Sequence, residues 1–200
     1  MSKKKDKPKT TPPWDRRPWP AQGDADMDTL YASVGRALSQ WERFEGHLAL
    51  LFSAFVTGME TDIARRAYCA VRTFEGRAEM LRAASEAYFH TFPDTALQPQ
   101  SIEVLNQAIC YSPRRNDIAH GVLDHWQPYP PQLPRELTKA WALYPSAANF
   151  RGRNFIQNAP AYCYTSAEVE YFYEKFNDLC DPVSSVAGAV LLRARKRPAV

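Results

Sequence analysis

The stretch DMDTLYASVGRALSQWERFEGHLALLFSAFVTG, residues 26–58, decides the fold. Its apolar residues fall at Leu30, Val34, Leu38, Trp41, Phe44, Leu48, Phe52 and Phe55. Steps of three and four place them on one face of a long amphipathic helix. Asp24, Asp26 and Asp28 cluster at its start, where carboxylates suit the positive end of the helix dipole, and Gly58 is placed to end it.

Further helices follow at short intervals. Thr61 is positioned to cap a second, through Ile63, Ala67 and Ala70. A third carries Phe74, Ala78, Leu81, Ala84 or Ser85, Tyr88 and Phe92, stopped by Pro93. Ser101 is placed to cap a fourth with Ile102, Leu105 and Ile109. There Pro113 either kinks the helix or restarts it from Ser112, with Gly121 as a left-handed terminator. Residues 122–164 change character, because Pro128, Pro130, Pro131 and Pro134 break any helix. Short aromatic runs at 141–144 and 161–164 predict an extended insert with a small β-hairpin. Thr165 and Glu168 then form a capping-box signature for a helix through Val169, Phe172, Tyr173, Phe176 and Leu179, restarted or continued by Asp181-Pro182 to about Leu192. The expectation is a mostly α fold: an antiparallel helical bundle over residues 24–195 with a Pro-rich, partly β insert before its last helix.

Residues 1–23 have no helical or strand period and read as a flexible, basic, Pro-rich arm. It holds Lys3, Lys4, Lys5, Lys7, Lys9, Arg16 and Arg17, and the chain ends in Arg193, Arg195, Lys196 and Arg197. Clustered cations attract phosphate backbones, although a solvated tail has the same composition. The net charge of +3 excludes a whole-chain polyanion binder. The four cysteines are far apart, which argues against a zinc site and a disulfide framework. No signal-peptide core follows the basic start and no apolar run could span a bilayer, so a cytoplasmic protein without membrane contact is expected.

The chemically informative segment is Ser112-Pro113-Arg114-Arg115-Asn116-Asp117-Ile118-Ala119-His120-Gly121. Metal-free RNA cleavage through the neighbouring 2′-hydroxyl needs a proton carrier titrating near neutrality and a fixed cation beside the phosphate. Histidine and arginine meet those needs. On a helix Asn116 and His120 share a face while Arg115 lies on the adjacent one, an arrangement that suits two such helices meeting across a two-fold axis. The plain alternative is that His120 satisfies open carbonyls at a helix end and that the arginines are surface residues.

Arg115, Asn116 and His120 resemble the Arg-Asn-x-x-x-His form of the motif of the HEPN superfamily, helical-bundle ribonucleases of toxin type. The likeness extends over residues 26–121, including the long first helix with Trp41, Glu45 and Leu48 in its middle, and loosely over 165–192. It implies a metal-independent endoribonuclease that works as a homodimer with a composite site and without cofactor. The RNA products would be a 2′,3′-cyclic phosphate and a 5′-hydroxyl, and the setting a toxin or antiphage-defence effector held by an antitoxin or other regulatory protein. His120 would be the general acid or base and Arg115 the phosphate-binding residue, with Asn116 and Glu45 in support. Arg114 also satisfies the looser spacing, so either arginine fits. Some HEPN toxins carry a modifiable tyrosine two residues after the histidine, where Val122 stands here. Arg114, Arg151 and Arg153 are further candidates for RNA backbone contact. Asp117 and Asp124 with His120 and His125 lack the spacing of a metal set. A non-catalytic bundle of the same fold, binding nucleotide, RNA or a protein, is the rival expectation.

Overall fold

A computed structural model describes residues 11–58, 62–129, 138–146 and 160–196. Six helices and one two-stranded sheet make a helical bundle: α1 Met27–Thr57, α2 Asp62–Ala70, α3 Phe74–Thr91, α4 Leu97–Ala119, β1 Gly121–His125, β2 Trp141–Pro145, α5 Ser166–Asp178 and α6 Cys180–Arg195. The long first helix is the centre and contacts each of the other five. Most of its predicted stripe is core: Leu30, Trp41, Phe44 and Leu48 are fully buried, Phe52 and Phe55 nearly so, and Val34 and Leu38 half-buried beside them. Trp41 meets Phe44, Phe74 and Phe176 edge-on at 5.0–5.2 Å, binding α1 to α3 and α5. Each such buried ring contributes about 2–3 kcal/mol.

The ends of α1 obey local chemistry. The Asp26 carboxylate accepts the Thr29 hydroxyl and the Asp28 and Thr29 N–H groups, and these bonds, the hydroxyl first, hold its pKa below the usual value. Gly58 adopts φ 64° and its N–H donates to the Ala54 carbonyl, closing the helix with a left-handed residue. Asp24 serves another helix: its carboxylate accepts the N–H and hydroxyl of Ser166 at 2.7 Å and so caps α5. The expected Thr165–Glu168 capping box is present. Leu179 caps both α5 and α6, so the last bundle element is two helices in series. Thr61 lies outside the described residues.

Around α4 the caps expected at Ser101 and Gly121 are corrected, and of the two readings of Pro113 the restart falls. Ser101 is not its cap but lies inside it, buried and bonded to Ser85 at 3.0 Å. The capping carboxylate is that of Asp94, which accepts from the Ala96 and Leu97 N–H groups at 3.0 and 2.9 Å and pairs with Arg193. Pro113 sits within the continuous helix, and the Ile109 carbonyl, which its ring denies a backbone partner, accepts the Ser112 hydroxyl at 3.2 Å. Gly121 is not a left-handed terminator, because His120 ends α4 and Gly121 opens β1.

The strand at 141–145 forms as expected, but its ladder partner is β1, with Gly121 opposite Pro145 and Leu123 opposite Leu143. The 161–164 run contributes a single bridge, Tyr164 to Leu143. Burial of Leu143 explains Gly121: a Cβ there would stand 2.5 Å from the Leu143 Cγ. A Gly121→Ala variant is therefore expected to lose about 1–3 kcal/mol in denaturant unfolding, as overpacking does. Unchanged stability would mean that Leu143 is not fixed.

Residues 11–23, read as an arm, do lack helix and strand, yet they run against the bundle. Trp14 packs edge-on to Tyr111, Arg17 lies 4.4 Å over the Tyr171 ring, and the Trp19 indole N–H donates to the Gln127 carbonyl at 2.9 Å. Asp24 then pairs with Trp141 through both backbone groups at 2.7–2.8 Å. No helix among the described residues is long and apolar enough to cross a membrane.

Candidate functional site

The motif occupies the last turns of α4, and helical rotation of about 100° per residue decides where each side chain goes. Asn116 and His120 fall on the solvent side and both are exposed. Arg115 turns toward α1, where it pairs with Glu42 at 3.3 Å and donates to the Asn116 Oδ1 at 3.3 Å. Its Nε is buried and unpartnered. Arg114 goes to the opposite flank and ion-pairs with Asp117 at 3.2 Å.

Two clefts therefore flank α4, with Asn116 on the wall of both. The first, about 290 Å³, opens between α1, α3 and α4 and holds Arg72, Arg77 and Arg115 with Glu45, Glu75 and Trp41. The second, about 330 Å³, holds His120, Arg114, Asp117, Arg16 and Tyr162. So the structure brings Asn116 together with each partner but places Arg115 and His120 in different clefts of one chain.

Glu45 is only 8% exposed. It accepts the Trp41 indole N–H at 2.6 Å and ion-pairs with Arg77, whose other terminal nitrogen donates to the Val71 carbonyl at 2.9 Å. That carboxylate therefore braces Arg77 rather than Arg115 or His120. The nearby Tyr68 phenol is held protonated far above its usual pKa, first by burial and then by the Glu45 charge. Arg151 and Arg153 lie outside the described residues.

Asp117 is the residue that sequence reasoning undervalued. Arg16 forks onto it with two bonds of 3.0 Å, the Tyr164 hydroxyl donates to its carboxylate at 3.1 Å, and the Tyr162 hydroxyl donates to its backbone carbonyl at 2.7 Å. The hydrogen bond to Asp117 raises the Arg16 pKa, while burial raises those of Tyr162 and Tyr164, so all three remain protonated donors. Its position inside the motif was the available signal. Arg16 and Arg77 carried none, since their partners lie far off in sequence or on another helix.

Chemically, the first cleft offers forked cations with an orientable amide, and the second an exposed imidazole beside a clamped carboxylate. Among the described residues no three His, Cys, Asp or Glu side chains gather as a metal-holding group. No family model, curated protein or solved structure matches the chain.

Proposed function

We propose that the protein is a metal-independent endoribonuclease of HEPN type, acting as a homodimer in a toxin or defence role. The observation that carries this reading is a stripe on α4. Ile102, Asn106, Ile109, Pro113, Asn116 and His120 follow at steps of three and four, and all six are exposed. Ile102 and Ile109 remain 43% and 37% exposed, so an apolar seam runs into the two motif residues. A second copy crossing this stripe on a two-fold axis covers the isoleucines and sets His120 of each chain beside the motif of the other. It thereby supplies what one chain separates, an Arg115 fork and a His120 imidazole at one phosphate.

In the reaction the 2′-oxygen of the RNA attacks the adjacent phosphorus and the 5′-oxygen departs. His120 takes the 2′-hydroxyl proton or delivers one to the leaving oxygen. Arg115 and Asn116 hold the phosphoryl oxygens as charge builds. The products are a 2′,3′-cyclic phosphate and a 5′-hydroxyl.

The deciding experiment incubates total RNA with purified protein in EDTA beside the His120→Ala variant. Discrete cleavage by the first alone supports the reading, and equal cleavage by both ends it. RNA binding without cleavage would favour the rival, a binding bundle. The stripe has its own test. Ile109→Glu is expected to convert dimer to monomer in sedimentation and to abolish cleavage, and an unchanged sedimentation coefficient would remove the α4 seam as the interface.

A further inference from the structure

The segment between Pro12 and Trp19 reaches the His120 cleft through Arg16, which lines it with Arg114, Asp117 and Tyr162. Its hold is made by side chains. Arg16 spends all three nitrogens on Asp117 and on the Ala161 carbonyl at 3.4 Å, and its guanidinium lies 5.2 Å from the Tyr162 ring centre. The Tyr171 hydroxyl donates to the Pro13 carbonyl at 3.1 Å, Arg17 covers the same ring, and Trp14 rests on Tyr111. The Arg16 side chain is 39% exposed, whereas Trp14 and Trp19 are half-buried, the first against the core ring Tyr111 and the second with its indole N–H on the Gln127 carbonyl. Downstream the chain is fixed quite differently, with Pro20 buried, Gly23 pressed against Trp126, and Asp24 paired to Trp141 and Ser166.

We propose that residues 12–19 are a latch beside the His120 cleft, closed by the Arg16–Asp117 fork and opened when the phosphate backbone of a single-stranded nucleic acid takes Arg16 from Asp117. The chemistry is an exchange of one forked anion for another. A guanidinium binds phosphate and carboxylate with the same two-bond geometry, so a phosphate that reaches the exposed side of Arg16 can take the place of the Asp117 carboxylate. Arg17 beside it, and Lys3, Lys4, Lys5, Lys7 and Lys9 earlier in the sequence, give the segment the charge that draws a polyanion. When Arg16 leaves, its part of the cleft wall opens, and Asp117 keeps Arg114 and Tyr164. The latch rests on the nuclease reading only in taking nucleic acid as the incoming anion.

The test uses the full chain and a single-stranded 2′-deoxy oligonucleotide, which lacks the hydroxyl that the proposed cleavage needs. Binding is followed by fluorescence anisotropy, and the release of Trp14 from Tyr111 is read by ¹⁹F NMR of the 5-fluorotryptophan-labelled chain, with Trp14 assigned by Trp14→Phe. Saturating oligonucleotide is expected to move the Trp14 resonance to that of solvent-exposed fluorotryptophan, while the resonance of the core residue Trp41 is unchanged. Arg16→Ala is expected to show that exposed resonance without oligonucleotide and no further shift with it. An oligonucleotide that does not bind, or that binds while Trp14 keeps its packed resonance, overturns the latch. Because the readout needs no catalysis, an opening latch in a protein that cuts no RNA would remove the nuclease reading alone.

Discussion

A His120→Ala protein is expected to cleave RNA at least about 100-fold more slowly than the unaltered chain, since a positioned acid or base contributes roughly 10²–10⁴. Arg115→Ala is expected to cost about 10²–10³, the loss seen when one charge-stabilising donor is removed. The geometry adds a sharper expectation. Arg115 and His120 open into different clefts of one chain, so the proposed composite site would draw them from two. Mixing the two inactive variants and allowing subunits to exchange should then restore about a quarter of the native rate, through mixed dimers that hold one intact pair. A mixture as inactive as its components would show that each chain builds its own site, and the two-fold mechanism would fall. His120→Ala leaves the fold standing, because the side chain is exposed at the end of α4. Thermal unfolding of the variant should therefore match that of the native protein.

Glu45→Ala is expected to be the most destabilising of the single changes considered. The carboxylate is buried with Arg77, whose Nε has no partner, and it also takes the Trp41 indole N–H. Removal leaves a charged guanidinium with the Val71 carbonyl and an indole donor facing nothing. Breaking one side of a buried pair costs about 3–5 kcal/mol, which in a chain of this size lowers the melting temperature by about 10 °C. A second change, Arg77→Met, should recover much of that loss, because it removes the stranded charge with little change of volume. If Glu45→Ala melts as the native protein does, the network carries no stability. If it melts low but Arg77→Met brings no recovery, the loss belongs to the Trp41 contact.

What the sequence made legible was local. Asp26 and Gly58 bound α1 because cap and terminator act within four residues of themselves, and the Thr165–Glu168 box works over the same span. The apolar stripe of α1 was legible because burial acts on every third or fourth residue in turn. Ser101 misled because a serine before an apolar run satisfies the capping pattern equally well whether it caps or hydrogen-bonds in the core. Here Asp94 stood earlier in the chain and took the open N–H groups first. Gly121 misled for a related reason: glycine serves positive φ and close packing alike, and only the position of Leu143 tells them apart. In the site, the motif residues were visible as neighbours in one helix. The Arg16–Asp117 fork and the Arg77–Glu45 pair were not, since each joins separate segments and nothing in residue order announces such a meeting.

Asp24 touches residues 141 and 166 at once, so the start of the bundle is completed by chain made much later. The core ring Trp41 likewise waits for Phe176. On a ribosome Phe52 and Phe55 can be covered once α2 and α3 supply Tyr68, Tyr88 and Phe89, whereas the stripe around Trp41 stays incompletely covered until residue 176 has been made. At about 5–20 residues per second that is an exposure of many seconds. That part of α1 is covered last, and a chaperone has its longest opportunity there.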